Sequence, residues 1–233
     1  MRKKFLNLLV VSTVIGVLLS ACGNTDTEVE DVKENIEEVE DVVDEVTGDD
    51  ESEKDDADVL PDYEYPGPES FFTELYDYVE DFNKDYDEAD VSIPCVRILE
   101  MDESDNSDIK VYGEFDIYNY NLDGDTLSCV SGGNYPGLIH VAMDDEGDYE
   151  VTGFDVVLDG DQFDASAKEI FGDKYDAFIK MNSDQDDREN VRAQIISNYV
   201  FANNLDIKYY QDYGWDKVEL PEQNIDSFYS TLN

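Results

Sequence analysis

The chain changes composition near residue 67, and that break decides which part of it can bury a core. Between Gly23 and Gly67 there are 20 acidic residues against Lys33 and Lys54 alone, with few aromatics. Such a segment lacks the apolar surface that would offset the entropy of ordering it. Val29, Val32, Ile36, Val39, Val43 and Val46 do follow the a/d spacing of a heptad, which would give a helix one apolar stripe. The run is short, its members are all β-branched and acids crowd its flanks, so a transient amphipathic helix is expected rather than a coiled coil. Thr47 to Asp58 continues as a self-repelling acidic spacer, and the run Pro61 to Pro68 closes the stalk.

Upstream of the stalk the chain reads as an export signal. Arg2, Lys3 and Lys4 form a positive start, and Phe5 to Leu19 is almost unbroken apolar sequence. That stretch is shorter than the ~20 residues a spanning helix needs. It ends in Leu19-Ser20-Ala21-Cys22, followed by Gly23, with small residues where a processing peptidase requires them. These residues resemble the lipobox of bacterial lipoproteins. The resemblance implies cleavage before Cys22, lipidation of its thiol, and anchorage at the outer face of a membrane. Buried acyl chains contribute ~0.8 kcal/mol per CH₂, so two or three of them hold a protein firmly. Gly23, rather than an aspartate, gives no mark of retention at a Gram-negative inner membrane, and a Gram-positive cell membrane is expected. In general character the chain is similar to small lipoproteins of Gram-positive anaerobes.

Three segments follow: residues 1–21 as signal peptide, 22–67 as lipidated cysteine and acidic stalk, and 68–233 as one extracytoplasmic domain. Cleavage removes three basic residues and no acid, taking the formal charge from −45 to −48. That surface repels nucleic acid and attracts cations or basic partners.

The domain reads as α+β. Phe71, Phe72, Leu75, Tyr76, Val79 and Phe82 recur at helical spacing after Pro68. Strand-like runs follow at Val91–Asp102, Ile109–Tyr120, Leu127–Met143 and Tyr149–Leu158. In the second, Ile109, Val111, Phe115 and Ile117 alternate against Lys110, Glu114 and Asp116. Asp123-Gly124 suits a type I′ hairpin turn, and Gly132, Gly133 and Pro136 interrupt the third run. A C-terminal helical pair is expected at Ala165–Met181, with Gly172 weakening its interior, and at about Asp187–Asn204, capped by Ser183 or Asp184. The expected architecture is an N-terminal helix, a four-stranded antiparallel meander and that pair. Its order of helix then strands is similar to the cystatin-like and nuclear-transport-factor-like folds, in which a curved sheet wraps a helix.

Few residues suggest chemistry. His140 is the only histidine and falls in an apolar run, Leu138 to Ala142. An acid–base mechanism would have to use it, with Asp155 as a candidate partner. No phosphate-binding loop, dinucleotide fingerprint or zinc spacing is present, and no cofactor or metal is expected. The acidic turns Asp123–Asp125, Asp144–Asp148 and Asp159–Asp164 hold oxygen ligands but lack the offsets of a calcium loop. Cys95 and Cys129 would sit in an oxidising compartment, where a disulfide is the natural guess; the strand pattern favours free thiols, and a bridge would mean that the meander is wrong around Gly132-Gly133. In a simple meander Cys95 lies opposite Asp116 and Cys129 opposite Tyr118, roughly 9.6 Å apart from two strand spacings, beyond the ~7 Å a disulfide tolerates. Aromatic residues exceed what a core needs: Tyr112, Tyr118, Tyr120 and Tyr135, then Tyr209, Tyr210, Tyr213 and Trp215.

The reading is therefore a membrane-anchored, non-enzymatic binding or interaction module at the cell surface. Its expected partner is an extracytoplasmic protein, a peptide or wall polymer, met by the concave sheet face and the ligand-binding candidates Tyr209, Tyr210, Tyr213 and Trp215. Two alternatives stand beside it: an enzyme with a small nuclear-transport-factor-like pocket using His140 and Asp155, and a cation-binding acidic surface protein.

Overall fold

The computed structural model describes residues 59–82 and 89–226. The signal segment, Cys22, the heptad-spaced run and the acidic spacer to Asp58 lie outside the described residues. The folded unit takes in more of the stalk than its composition suggests, because Leu60, Tyr63 and Tyr65 are buried in the main core. Tyr63 stacks against Tyr76 and Tyr199, and the Tyr199 hydroxyl donates to the Pro61 carbonyl at 2.7 Å. Apolar tyrosine faces within an acidic sequence are enough to dock this entry segment.

Helix α1 (Ser70–Phe82) buries Phe71, Leu75, Tyr76 and Val79, the expected stripe. It packs on β1 (Val91–Asp102), β2 (Ile109–Asp123) and β5 (Tyr149–Val156). Between these strands come β3 (Thr126–Gly133) and β4 (Pro136–Met143). The domain is α+β, but the four-stranded meander gives way to a forked sheet. Strand β1 pairs along one edge of β2, while the other edge is shared by β4 over Ile109–Glu114 and β3 over Ile117–Asp123. The fork falls where Gly133 ends β3 and Pro136 begins β4, and there the Phe115 N–H donates to the Tyr135 carbonyl at 3.1 Å. The single third run of the sequence is thus two strands. Gly113 lies opposite the β1 irregularity at Ile98–Glu100, where a Cβ would collide with the Arg97 carbonyl.

The hairpin between β2 and β3 pairs Asp123 with Thr126, so its loop is Gly124-Asp125 and not Asp123-Gly124. Gly124 has φ +63°, as the first central residue of a type II′ turn needs. The shift moves Cys129 opposite Tyr120, while Cys95 pairs with Asp116 as expected. Strand β2 separates the two cysteines, and both are free.

The helix expected over Ala165–Met181 is divided into α2 (Phe163–Phe171) and α3 (Tyr175–Ser183). Gly172 adopts φ +53° and opens a single 3₁₀ turn. The break lets Phe171 stack flat on Phe178, 4.0 Å between centroids, in a small second core with Val157 and Ala167. Helix α4 (Gln185–Ala202) starts at Asp184, whose carboxylate accepts the Asp187 N–H at 3.0 Å. It stops at Asn203-Asn204, with Asn204 at φ 53°. The aromatic tail then adds β6 (Tyr209–Gln211), parallel to β3, and β7 (Val218–Glu219), antiparallel to β6. Among the described residues no helix is long and apolar enough to cross a membrane.

Candidate functional site

Alternation along β2 sets Glu114, Asp116, Tyr118 and Tyr120 on one face. Read as a half-wet strand, that face belongs to solvent; in the fold Glu114, Asp116 and Tyr120 are fully buried beneath α4. What makes their burial tolerable is arginine. The chain has three arginines after Arg2, namely Arg97, Arg188 and Arg192, and all three converge here.

Arg97 donates to Glu114 and to Asp187, each at 2.7 Å, and to the Met181 carbonyl at 2.9 Å. Arg188 donates to Glu114 at 3.0 Å and to the Asn182 carbonyl at 2.9 Å. Its buried Nε makes no hydrogen bond and lies 3.5 Å from an Asp116 oxygen. Arg192 forks onto Asp212 at 3.0 and 2.7 Å and donates from Nε to the Tyr120 hydroxyl at 2.7 Å. These charge-assisted bonds fasten α4 to β1, β2 and the C-terminal segment. Arg188 and Arg192 are four residues apart on α4, so both reach the same side.

Asp116 is the least balanced member. It accepts from Asn134 Nδ2 at 2.5 Å, yet burial and the neighbouring Glu114 carboxylate push its pKa up to about 7, against the pull of Arg188. Asp212 goes the other way, held below the usual carboxylate range by hydrogen bonds from Arg192. Burial raises the Cys95 thiol well above its ordinary value.

Over this network lies a cavity of about 650 Å³, lined chiefly by Tyr118, Arg188, Arg192, Tyr210 and Trp215, with Gln185, Glu189, Asp212, Asp216 and Lys217 around them. The Arg192 guanidinium is 3.9 Å from the Tyr118 ring centroid and 4.8 Å from that of Tyr210, which it fixes as walls. The Tyr210 hydroxyl donates to Glu189 at 2.9 Å. Trp215, 76% exposed, stands at the rim in the turn between β6 and β7. A second hollow of about 560 Å³ at the far end of α4 is walled chiefly by Val200, Phe201, Leu205, Ile207 and Leu220, and none of the buried arginines reaches it.

The fold therefore brings two of the four aromatic candidates, Tyr210 and Trp215, to one cavity with Tyr118. Tyr209 turns away beneath Lys217, and Tyr213 is 97% exposed outside the cavity. No motif or spacing singles out Arg188, Arg192 or the Glu114–Asp116 pair; the one signal is the use of arginine at three domain positions where lysine would serve a surface.

His140 does meet Asp155, at 3.4 Å from Nε2, and Asp108 takes its Nδ1 at 2.6 Å. The three side chains tie β4 to β5 and to the entry of β2, and His140 lines neither cavity. In the acidic turn after β4, Asp144 accepts backbone N–H groups of Glu146 and Asp148 at 2.8 and 3.0 Å, a use of its carboxylate within the turn itself. Among the described residues no three His, Cys, Asp or Glu side chains are grouped to hold a metal ion.

Compared with known proteins, the chain gives no significant match to a family model, to a curated protein sequence or to a solved structure.

Proposed function

We propose that this chain is a lipoprotein, held through Cys22 at the outer face of a Gram-positive type of cell membrane. Its domain acts there as a non-enzymatic binding module for an extracytoplasmic protein, peptide or wall polymer. The observation that carries the binding role is the cavity between α4 and the Tyr209–Val218 segment. Its size suits a small ligand or a short stretch of polymer, and its aromatic walls are held in place before anything binds. The anchoring role rests on the signal residues and on Leu19-Ser20-Ala21-Cys22. A likeness to the cystatin-like and nuclear-transport-factor-like folds rests only on α1 being followed by strands; the five strands of the forked sheet depart from a four-stranded meander, and the likeness carries no function of its own.

The acid–base alternative draws on the approach of His140 to Asp155. Against it, both ring nitrogens face carboxylates, leaving neither for a substrate. Two measurements test the proposal. Mass spectrometry of the mature protein should find an acylated N-terminal Cys22, and labelling of the chain by radioactive fatty acid should vanish in Cys22→Ala. A mature chain whose Cys22 carries no acyl group, or a Cys22→Ala variant labelled as the parent is, overturns the anchor. The purified chain should co-sediment with isolated cell envelopes, and Trp215→Ala should weaken that association; equal association by the variant overturns the cavity as binding surface.

A further inference from the structure

Charge is the property that separates ligand classes here. The chain as a whole carries −45, yet the cavity is lined by three basic residues, Arg188, Arg192 and Lys217, and three acidic ones, Glu189, Asp212 and Asp216. Most of these are already engaged. Arg192 is spent on Asp212 and Tyr120, Arg188 on Glu114, and Glu189 accepts from Tyr210. Lys217 donates to the Thr126 hydroxyl at 2.7 Å. An anionic ligand would find guanidinium groups with their counter-ions in place. A cationic one would find the same of the carboxylates, apart from exposed Asp216. Either would have to break a charge-assisted pair to gain one.

A neutral ligand needs no such exchange. What the cavity offers it is the exposed ring of Trp215, with Tyr118 and Tyr210, each with one face already against Arg192, as walls, beside planar polar groups at the rim, from Gln185 and Asp216. Pyranose rings have the matching chemistry: an apolar face of C–H groups to lay on an aromatic ring, and equatorial hydroxyls that donate and accept at the edge. The volume of about 650 Å³ fits two to three rings rather than a folded partner.

We infer that the cavity between α4 and the β6–β7 turn binds an uncharged oligosaccharide, with Trp215 as the stacking platform. The inference rests on the binding-module reading and narrows it to a glycan. A wall polysaccharide would present that chemistry along its length, and the domain would grip a short stretch of it.

Trp215 is the only tryptophan in the chain, so fluorescence excited at the red edge, beyond tyrosine absorption, reports this rim and nothing else. The full chain is titrated with N-acetylglucosamine trimer, with glucose trimer, and with an uncharged tripeptide of similar size. A saturable change in Trp215 emission with at least one trimer and none with the tripeptide is expected. Calorimetry on Trp215→Ala should show that affinity reduced about tenfold or more, the scale of a buried aromatic anchor. Tyr213→Ala, outside the cavity, should bind as the parent does. Both positions are exposed, so neither change threatens folding. A response to the tripeptide alone overturns the glycan and leaves a binding module. No response to any of the three overturns the glycan, and envelope association that still depends on Trp215 then tells whether the module reading survives. Equal affinity in Trp215→Ala places the sugar elsewhere and overturns the inference.

Discussion

Replacing Asp116 by asparagine should make the domain more stable above neutral pH and leave it little changed in acid. Asp116 is buried with Glu114, Arg188, Asn134, Tyr118 and Cys95 around it, and its pKa is raised to about 7, first by burial and then by Glu114. An unfolded aspartate titrates near the ordinary value of about 3.9. Between those values the folded chain therefore holds a proton that the unfolded chain has released. Stability is highest in acid for this group and falls as pH rises, by up to about 1.4 kcal/mol per unit. Integrated from pH 5 to pH 8, the loss is roughly 2 to 3 kcal/mol. Asparagine retains an oxygen to accept from Asn134, and it carries no charge to bury. The assay is urea unfolding of parent and Asp116→Asn at pH 5, 6, 7 and 8 in constant salt. Subtracting one from the other removes the self-repulsion of the acidic surface, which both share. The stability difference should shift in favour of the variant by roughly 2 to 3 kcal/mol across that range. A difference independent of pH would refute the argument, because Asp116 would then be ionised throughout and fully compensated by Arg188.

Glu114→Ala should cost about 3–5 kcal/mol in the same unfolding assay, because it leaves Arg97 and Arg188 facing each other without the carboxylate they share. Glu114→Gln should cost less but stay well below the parent, since it restores the shape and not the charge. Both cysteines should resist alkylation in the native chain and react after denaturation, without prior reduction. Cys95 is buried, and burial raises the Cys129 thiol to about 11, so little thiolate is present at neutral pH. A mass change on reduction alone would contradict the placement of β2 between them.

The order of elements is legible because it depends on local pattern. Strand β1 and the stripe of α1 are written as runs and spacings, and Asp184 marks the start of α4 by its own capping chemistry. The fork is not legible. Nothing local in Ile109–Asp123 says that one edge of the strand will be divided between two partners, since the division is made by Gly133 and Pro136, ten or more residues on. The hairpin shows how far a one-residue difference in turn position carries. Moving the turn from Asp123-Gly124 to Gly124-Asp125 shifts Cys129 by two positions, which preserves its face and changes its neighbour. The buried acids are the deeper case. Glu114 and Asp116 alternate with Phe115 and Ile117 as solvent-facing residues do, and only the arrival of Arg188 and Arg192 from 70 residues away turns that face inward. Tyr210 and Trp215 reach the site as aromatics of a tail. Tyr209, from the same tail, does not, because a strand sends neighbouring side chains to opposite faces.

The division of labour between arginine and lysine explains how so acidic a chain can own a neutral cavity. Lysines 110, 168 and 174 make ion pairs at the surface, where water screens them and where each contributes little. Arginine is placed where a carboxylate is buried, because its planar fork satisfies two acceptors and its charge persists at any pH the protein meets. Arg192 accordingly serves Asp212, Tyr120 and the Tyr118 ring together. At physiological ionic strength the field of the outer acids fades over about 8 Å. A ligand in the cavity therefore responds to the groups that line it, while the surface charge acts during approach. For the uncharged ligand proposed for this cavity the acidic surface is neither an attraction nor a barrier, whereas it repels anions and draws cations toward the rim. A cation that arrives there meets carboxylates already paired with Arg192 or Tyr210, so its attraction to the surface is not matched by an equal gain inside the cavity.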